Sequence, residues 1–236
     1  MDAAESLDAQ VRRVDPDRWL ASRFVADEAA RADLIALYAF DHELSHVLEA
    51  THEPMMAEIR LTWWREGIEE IFAGKAPRGH PALQALAAAV RRRNLAQGPL
   101  AAMVEVRFSD VEAEPFTDAA ALEAYADSLC GAPLSLALAV LGQADSAAMR
   151  PAALAWTLAR LGRTPERLPQ GWSNGEAQRL GVEALGLARQ AAGAVPVQAF
   201  PAVAHLALVG PRLKGRRLGA LEVRARLTLA VLTGAI

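Results

Sequence analysis

The amino-acid sequence predicts an all-α protein folded as a single domain over residues 1–236. Strand signals are nearly absent, with few β-branched runs and no stretch that alternates apolar and polar residues. Ala, Leu, Glu and Arg dominate, and all are good helix formers. Apolar residues recur at helical spacing in almost every segment between turn signals.

The elements follow in order. Asp15-Pro16 opens the first long helix, with proline in the first turn, where its missing N–H costs nothing. Leu20, Phe24, Leu34, Leu37, Tyr38, Leu44 and Leu48 continue its apolar face. Pro54 starts a second helix with Ile59, Trp63, Trp64, Ile68, Ile71 and Phe72 on one side, and Gly74 and Pro77 end it. His80-Pro81 leads into a helix through about Asn94, and another runs from about Leu100 to Asp110. Thr117 or Asp118 caps the next helix. Gly131 and Pro133 inside that helical pattern predict a kink. Residues 142–146 read as a loop, Pro151–Gly162 as a short helix and Thr164–Gly175 as irregular chain. Helices over Glu176–Ala194 and Pro201–Leu213 and a loose basic tail helix around Arg216–Leu232 complete the chain. Residues 1–14 and about 214–236 are expected at the periphery of the domain.

Composition narrows the partners. Hydrophobic residues make up 53% and charged residues 22%, a globular balance that can support a sizeable core. The net charge is -3 and no block of Lys and Arg dominates, which argues against nucleic acid as a partner. Cys130 is the only cysteine, so no intramolecular disulfide can form. It reads as a buried small hydrophobe. The polar, acidic N-terminus has no secretory pattern. The apolar runs near Leu134–Leu141 and Ala202–Val209 are too short to span a bilayer. The expectation is a cytoplasmic protein without a transmembrane segment, in peripheral contact at most with an inner membrane. The scarcity of lysine beside abundant Arg and Ala suggests a bacterial coding sequence.

The sharpest short motif is His42-Glu43-Leu44-Ser45-His46, an H-E-x-x-H pattern. Two histidines one helical turn apart can share a zinc ion, and the intervening glutamate can act as base on a metal-bound water. His52 sits where an extended pattern places a third histidine, but Glu49 stands where the chain needs glycine to turn. Zinc proteases of this type also build on a sheet, and the pattern has only three fixed positions. The plainer metal candidate is His42, His46 and Glu49 at i, i+4 and i+7 on one helix face. The plainest reading is a helix with two partly exposed histidines.

Other charged residues weigh similarly. Glu66 and Glu70 read as a solvated face, and Glu123 and Asp127 as helix-start charge or the rim of a cavity. Asp110 precedes a turn. Arg60 and Arg107 flank apolar helix faces and could hold a phosphate, although arginine stems commonly cover such faces. Arg91-Arg92-Arg93 reads as surface charge.

Several of these stretches, in order, resemble the squalene/phytoene synthase family. They are Asp15-Pro16-Asp17-Arg18, Leu37-Tyr38-Ala39-Phe40, Arg60-Leu61-Thr62-Trp63-Trp64-Arg65-Glu66, His80-Pro81-Ala82-Leu83, Arg107 with Asp110, Leu122-Glu123-Ala124-Tyr125-Ala126, and Leu168-Pro169. The resemblance runs over about residues 15 to 210. It implies an isoprenoid-synthase-like helical bundle around a central cavity. Enzymes of the family join two prenyl diphosphates, using aspartate-rich motifs on facing helices to hold Mg²⁺. A diphosphate leaving an apolar cavity requires such cations, because hard Mg²⁺ supplies the opposing charge through several oxygen ligands.

Here the pattern departs. After Tyr38-Ala39-Phe40 the aspartate positions are taken by Ser45, His46 and Glu49, with Asp41 and Glu43 out of phase. Where the second motif belongs, Glu166 is the only acidic residue, and Asp145 is the last aspartate of the chain. Ala39-Phe40-Asp41-His42-Glu43-Leu44 followed by Trp63-Trp64 is similar to a degenerate branch of the family that includes a mitochondrial complex I assembly factor. That likeness implies a pseudoenzyme that binds a prenyl or lipid-like ligand in its cavity or contacts a protein partner. The rival is a working prenyl transferase whose metal site is rebuilt from Glu43, Glu49, Asp110 and Glu123. A further rival is a metal-binding protein using the His42 helix.

Overall fold

The computed structural model describes residues 6–51, 53–143, 149–162 and 164–236. His52 and Asp145, with most of the loop expected at 142–146, lie outside the described residues. Among the described residues the regular structure is helical.

The helix α1 (Leu7–Val14) is capped by Ser6 and buries Val11 against the bundle. The helix α2 (Pro16–Ser22) starts at Asp15, whose carboxylate accepts the backbone N–H of Arg18. The single long helix expected from Pro16 onwards is in fact two. The chain breaks over 23–27, and Asp27 caps a new helix, α3 (Glu28–Glu49), by accepting from Ala29 N. The cap outweighs the continuing apolar pattern, and Phe24 ends on the surface.

Helix α3 is the axis of the molecule. It contacts α1 and α2, then α4 (Pro54–Phe72), α5 (Pro81–Arg93), α6 (Gln97–Glu112) and α8 (Ala132–Val140). Its residues 33–41 are buried on every side, as a helix surrounded by others requires. Phe40 meets Trp64 edge-on at 5.7 Å, and Trp64 meets His80 at 4.8 Å. His80 also caps α5 through Nδ1, which accepts from Ala82 N. Three of the motifs noted in the sequence therefore meet at one packing centre.

Between α7 (Ala119–Ala126) and α8 the expected kink is a π-helical turn, Asp127–Gly131. Pro133 has no N–H to donate, and the wider turn absorbs the mismatch. Gly131 lets α9 (Arg150–Leu161) approach, since a Cβ there would lie 3.3 Å from Ala153 Cβ. After α10 (Asn174–Ala192), the helix expected over Pro201–Leu213 is instead two 3₁₀ turns, Phe200–Ala202 and Ala204–Leu208, leading into α11 (Val209–Leu213). Pro201 and Pro211 each remove an N–H from an α-helical ladder there. The tail forms a regular helix, α12 (Ala220–Thr233), closed by Gly234 in the left-handed conformation. It lays Leu227 and Ala230 against α2 and the second 3₁₀ turn.

Candidate functional site

The interior carries a ladder of alternating charges. Asp15 pairs with Arg18, and Arg18 Nη2 donates to Asp41 Oδ2 at 2.7 Å. The other oxygen, Asp41 Oδ1, accepts from Arg107 Nη2 at 3.0 Å. Arg107 Nη1 reaches Asp110 Oδ2 at 3.4 Å. Asp110 Oδ1 accepts from Arg167 Nη1 at 2.5 Å and from the Tyr125 hydroxyl at 2.7 Å. Arg167 Nη1 also lies 3.1 Å from the Tyr125 oxygen, and its Nη2 donates to Ser109 O at 3.3 Å. Three carboxylates and three guanidiniums thus neutralise one another across α2, α3, α6 and the 3₁₀ turn Pro165–Arg167.

The sequence places these groups by helical phase. Asp41 follows Leu37 and precedes Leu44 on the same face of α3, so it is drawn inside with them. Arg107 and Asp110 are one turn apart on α6. Arg18, Asp41 and Arg107 are all buried. Burial alone pushes the Asp41 carboxyl up, but Arg18 and Arg107 outweigh it and hold the group below the ordinary carboxylate range. Burial, with the Asp110 charge beside it, pushes the Tyr125 phenol up to about 12, so it remains a donor. The guanidinium of Arg18 lies 4.6 Å above the Tyr38 ring and 5.4 Å from that of Trp156, which gives its unbonded Nη1 an aromatic neighbour.

Beside the ladder stands Arg160, on α9. It shares a helix face with Ala153, Trp156 and Thr157, all of which are buried. Arg160 itself keeps free surface. Burial works against its charge, while Cys130 and Asp41 favour it and keep its pKa above the ordinary value. It makes no hydrogen bond or salt bridge to another described residue. The ladder is neutral in itself, so among the described residues Arg160 is a cation with no paired carboxylate, open to an anion that comes to it.

The structure brings together only some of the candidates. Asp110 and Arg107 belong to the ladder. Glu43 lies apart, accepting from Gln10 Nε2 at 2.5 Å, with His80 Nε2 at 3.8 Å. Glu123 is exposed on α7, and Arg60 is exposed on α4 and donates to Thr51. The His42 and His46 rings stack at 5.7 Å, and His46 Nδ1 is 3.6 Å from Glu49, with both His46 and Glu49 exposed. Among the described residues no three of His, Cys, Asp and Glu are placed to share a metal ion. Arg92 is exposed, as surface charge would be, yet it and the half-buried Arg93 clamp the buried Asp33 of α3, with Arg93 Nε at 2.7 Å. Glu66 and Glu70 form a clamp of their own on Arg78, at 2.8 Å each. Cys130 is buried as expected.

Sequence reading set Asp41 aside as out of phase, quoted Arg18 only within a motif, and passed over Arg160 and Arg167. One signal was present, a carboxylate at Asp41 in helical phase with Leu37 and Leu44, which must be paired if it is to be buried.

A Mg²⁺ clamp does not fit this donor set. Both oxygens of Asp41 and both of Asp110 are engaged by cationic or hydroxyl donors. On the α9 side, the Arg160 guanidinium is near enough to act on the Asp41 charge, and it repels a cation.

The helical bundle and its charged interior define a protein of the all-α isoprenoid-synthase class. Residues 11–195 match the squalene/phytoene synthase family model, and the chain belongs to that family. Over 135 residues, 57% of this chain, it is 30% identical to NADH dehydrogenase (ubiquinone) complex I, assembly factor 6 of Rattus norvegicus. It is 29% identical over the same length to the Homo sapiens protein of that name. The matched stretch covers 40% of the length of each of these relatives. In structure the chain is similar to squalene synthase HpnC from Alicyclobacillus acidocaldarius, with a TM-score of 0.68 and 16% identity, covering 97% of this chain and 93% of that one. It is also similar to a dehydrosqualene synthase in complex with ligand, with a TM-score of 0.71 and 11% identity over 96% and 94% of the two chains. At these identities the structural likeness establishes the fold alone. No helix among the described residues is long and apolar enough to cross a membrane.

Proposed function

We propose that this protein is a catalytically degenerate member of the squalene/phytoene synthase family. In this reading it binds a prenyl or lipid-like ligand with an anionic head and serves in the manner of a respiratory-complex assembly factor. The observation that carries the reading is the double occupation of Asp41 by Arg18 and Arg107. A carboxylate saturated by two guanidiniums in a buried setting is a structural ion, and releasing it to a metal would strand two cations. The assembly role rests on the likeness to complex I assembly factor 6.

Arg160 would meet the anionic head of that ligand. Labelled farnesyl and geranylgeranyl diphosphate, offered with Mg²⁺ or with a chelator, test this. The expected result is label bound in both conditions and recovered unconverted. Arg160→Gln should weaken that binding about tenfold or more, the loss of a charged hydrogen bond. Binding that vanishes in chelator would contradict the reading.

A further inference from the structure

The C-terminal segment differs in charge from the rest of the molecule. Residues 212–236 hold six basic residues and one acidic residue, Glu222, in a chain whose net charge is -3. Some of that charge is neutralised: Arg212 pairs with Asp17, and Arg216 and Arg226 share Glu222. Lys214, Arg217 and Arg224 are exposed and make no hydrogen bond or salt bridge with described residues.

The same segment presents unusual apolar surface. Leu221, Leu229 and Leu232 are 81%, 61% and 76% exposed. With Ala225 they fall at i, i+4, i+8 and i+11, one stripe along α12, on the side away from the buried Leu227 and Ala230. Arg224 borders that stripe one turn from Leu221. Lys214, Arg217 and Leu218, just before α12, line a groove of about 900 Å³ together with Leu158, Asn174 and Gln178. A row of leucines beside uncompensated cations is what a helix lying in a lipid interface needs: apolar contact with the acyl boundary and positive charge toward anionic head groups. The acidic remainder of the protein, repelled by the same surface, would orient the molecule with α12 downwards.

We infer that α12 and the preceding Lys214–Leu218 segment form a docking face for an anionic lipid bilayer. Co-sedimentation of the full chain with vesicles tests this, using equal parts phosphatidylcholine and phosphatidylglycerol against phosphatidylcholine alone. The protein should partition onto the mixed vesicles, weakly onto the neutral ones, and be released by salt. Replacing Arg217 and Arg224 by Gln should weaken partitioning about fivefold for each charge removed. The triple variant Leu221→Ser, Leu229→Ser, Leu232→Ser should lose about tenfold or more. All three leucines are exposed, so far-UV circular dichroism should stay unchanged. Equal binding to both vesicles, or a serine variant that binds like the parent, would overturn the inference. So would sedimentation velocity showing a dimer that the serine variant splits, since the stripe would then belong to a second copy of the chain.

Discussion

Arg107 touches Asp41 with one terminal nitrogen at 3.0 Å and Asp110 with the other at 3.4 Å, joining the central helix α3 to α6 through a single buried guanidinium. Two aspartates that could have faced a metal are instead bridged by a fixed cation. The ladder therefore serves the fold, and its removal should appear as lost stability.

Asp41→Asn leaves Arg18 and Arg107 buried without their shared counter-charge. Breaking a buried pair from one side costs about 4 kcal/mol. Urea denaturation should show that loss, while the exposed control Glu123→Gln should shift stability by less than about 0.5 kcal/mol. A small effect at Asp41 would mean that water reaches the ladder and screens it.

The ladder also sets an acid limit. The Asp41 pKa is lower folded than unfolded, so its contribution is present above the unfolded value of about 4 and fades as pH falls through the lower folded one. Stability measured by denaturant titration should drop steeply below about pH 4. Asp41→Asn should flatten that drop.

His205 acts in a separate window. It is buried against Trp156, with ring centroids 4.4 Å apart, and burial, with help from Arg18 and Arg212, pulls its pKa down to about 3. Between about pH 6.5 and 3 the unfolded chain holds a proton there that the folded chain does not, so stability falls as pH is lowered through that range. The slope approaches about 1.4 kcal/mol per pH unit. His205→Phe should remove the part of the slope between about pH 6 and 4.5, and an unchanged slope would show that the histidine is solvated.

Cys130 should be chemically silent in the folded protein. Its thiol is buried, and that burial pushes its pKa up. Reaction with a disulfide dye should be far slower in buffer than in concentrated urea, and fast labelling in buffer would place the thiol on an open cavity wall.

How much of this was legible in the sequence differs from element to element. Pro54, Pro81 and Gly74 bound their helices because proline and glycine act locally, and the structure follows them. The break at 23–27 was hidden because Phe24 kept the apolar rhythm while the Asp27 cap decided the outcome. The Pro201–Leu213 run is apolar apart from His205 and Arg212, so its periodicity could not separate 3₁₀ turns from an α-helix. The interior ladder was the hardest part to read. Helical phase buries Asp41, but its partners Arg18 and Arg107 stand 23 and 66 residues away, and nothing local announces pairing at that range. The clamp of Arg92 and Arg93 on Asp33 was hidden for the same reason, since Asp33 lies about 60 residues from each.

The most direct test of the central claim is product analysis by mass spectrometry after long incubation of the full chain with farnesyl or geranylgeranyl diphosphate and saturating Mg²⁺. With Asp41 and Asp110 held by arginines, the substrate should come back intact and no released pyrophosphate should exceed that of a protein-free control. A condensed hydrocarbon or alcohol product that disappears on adding chelator would show that this interior does assemble a metal clamp, and would contradict the account.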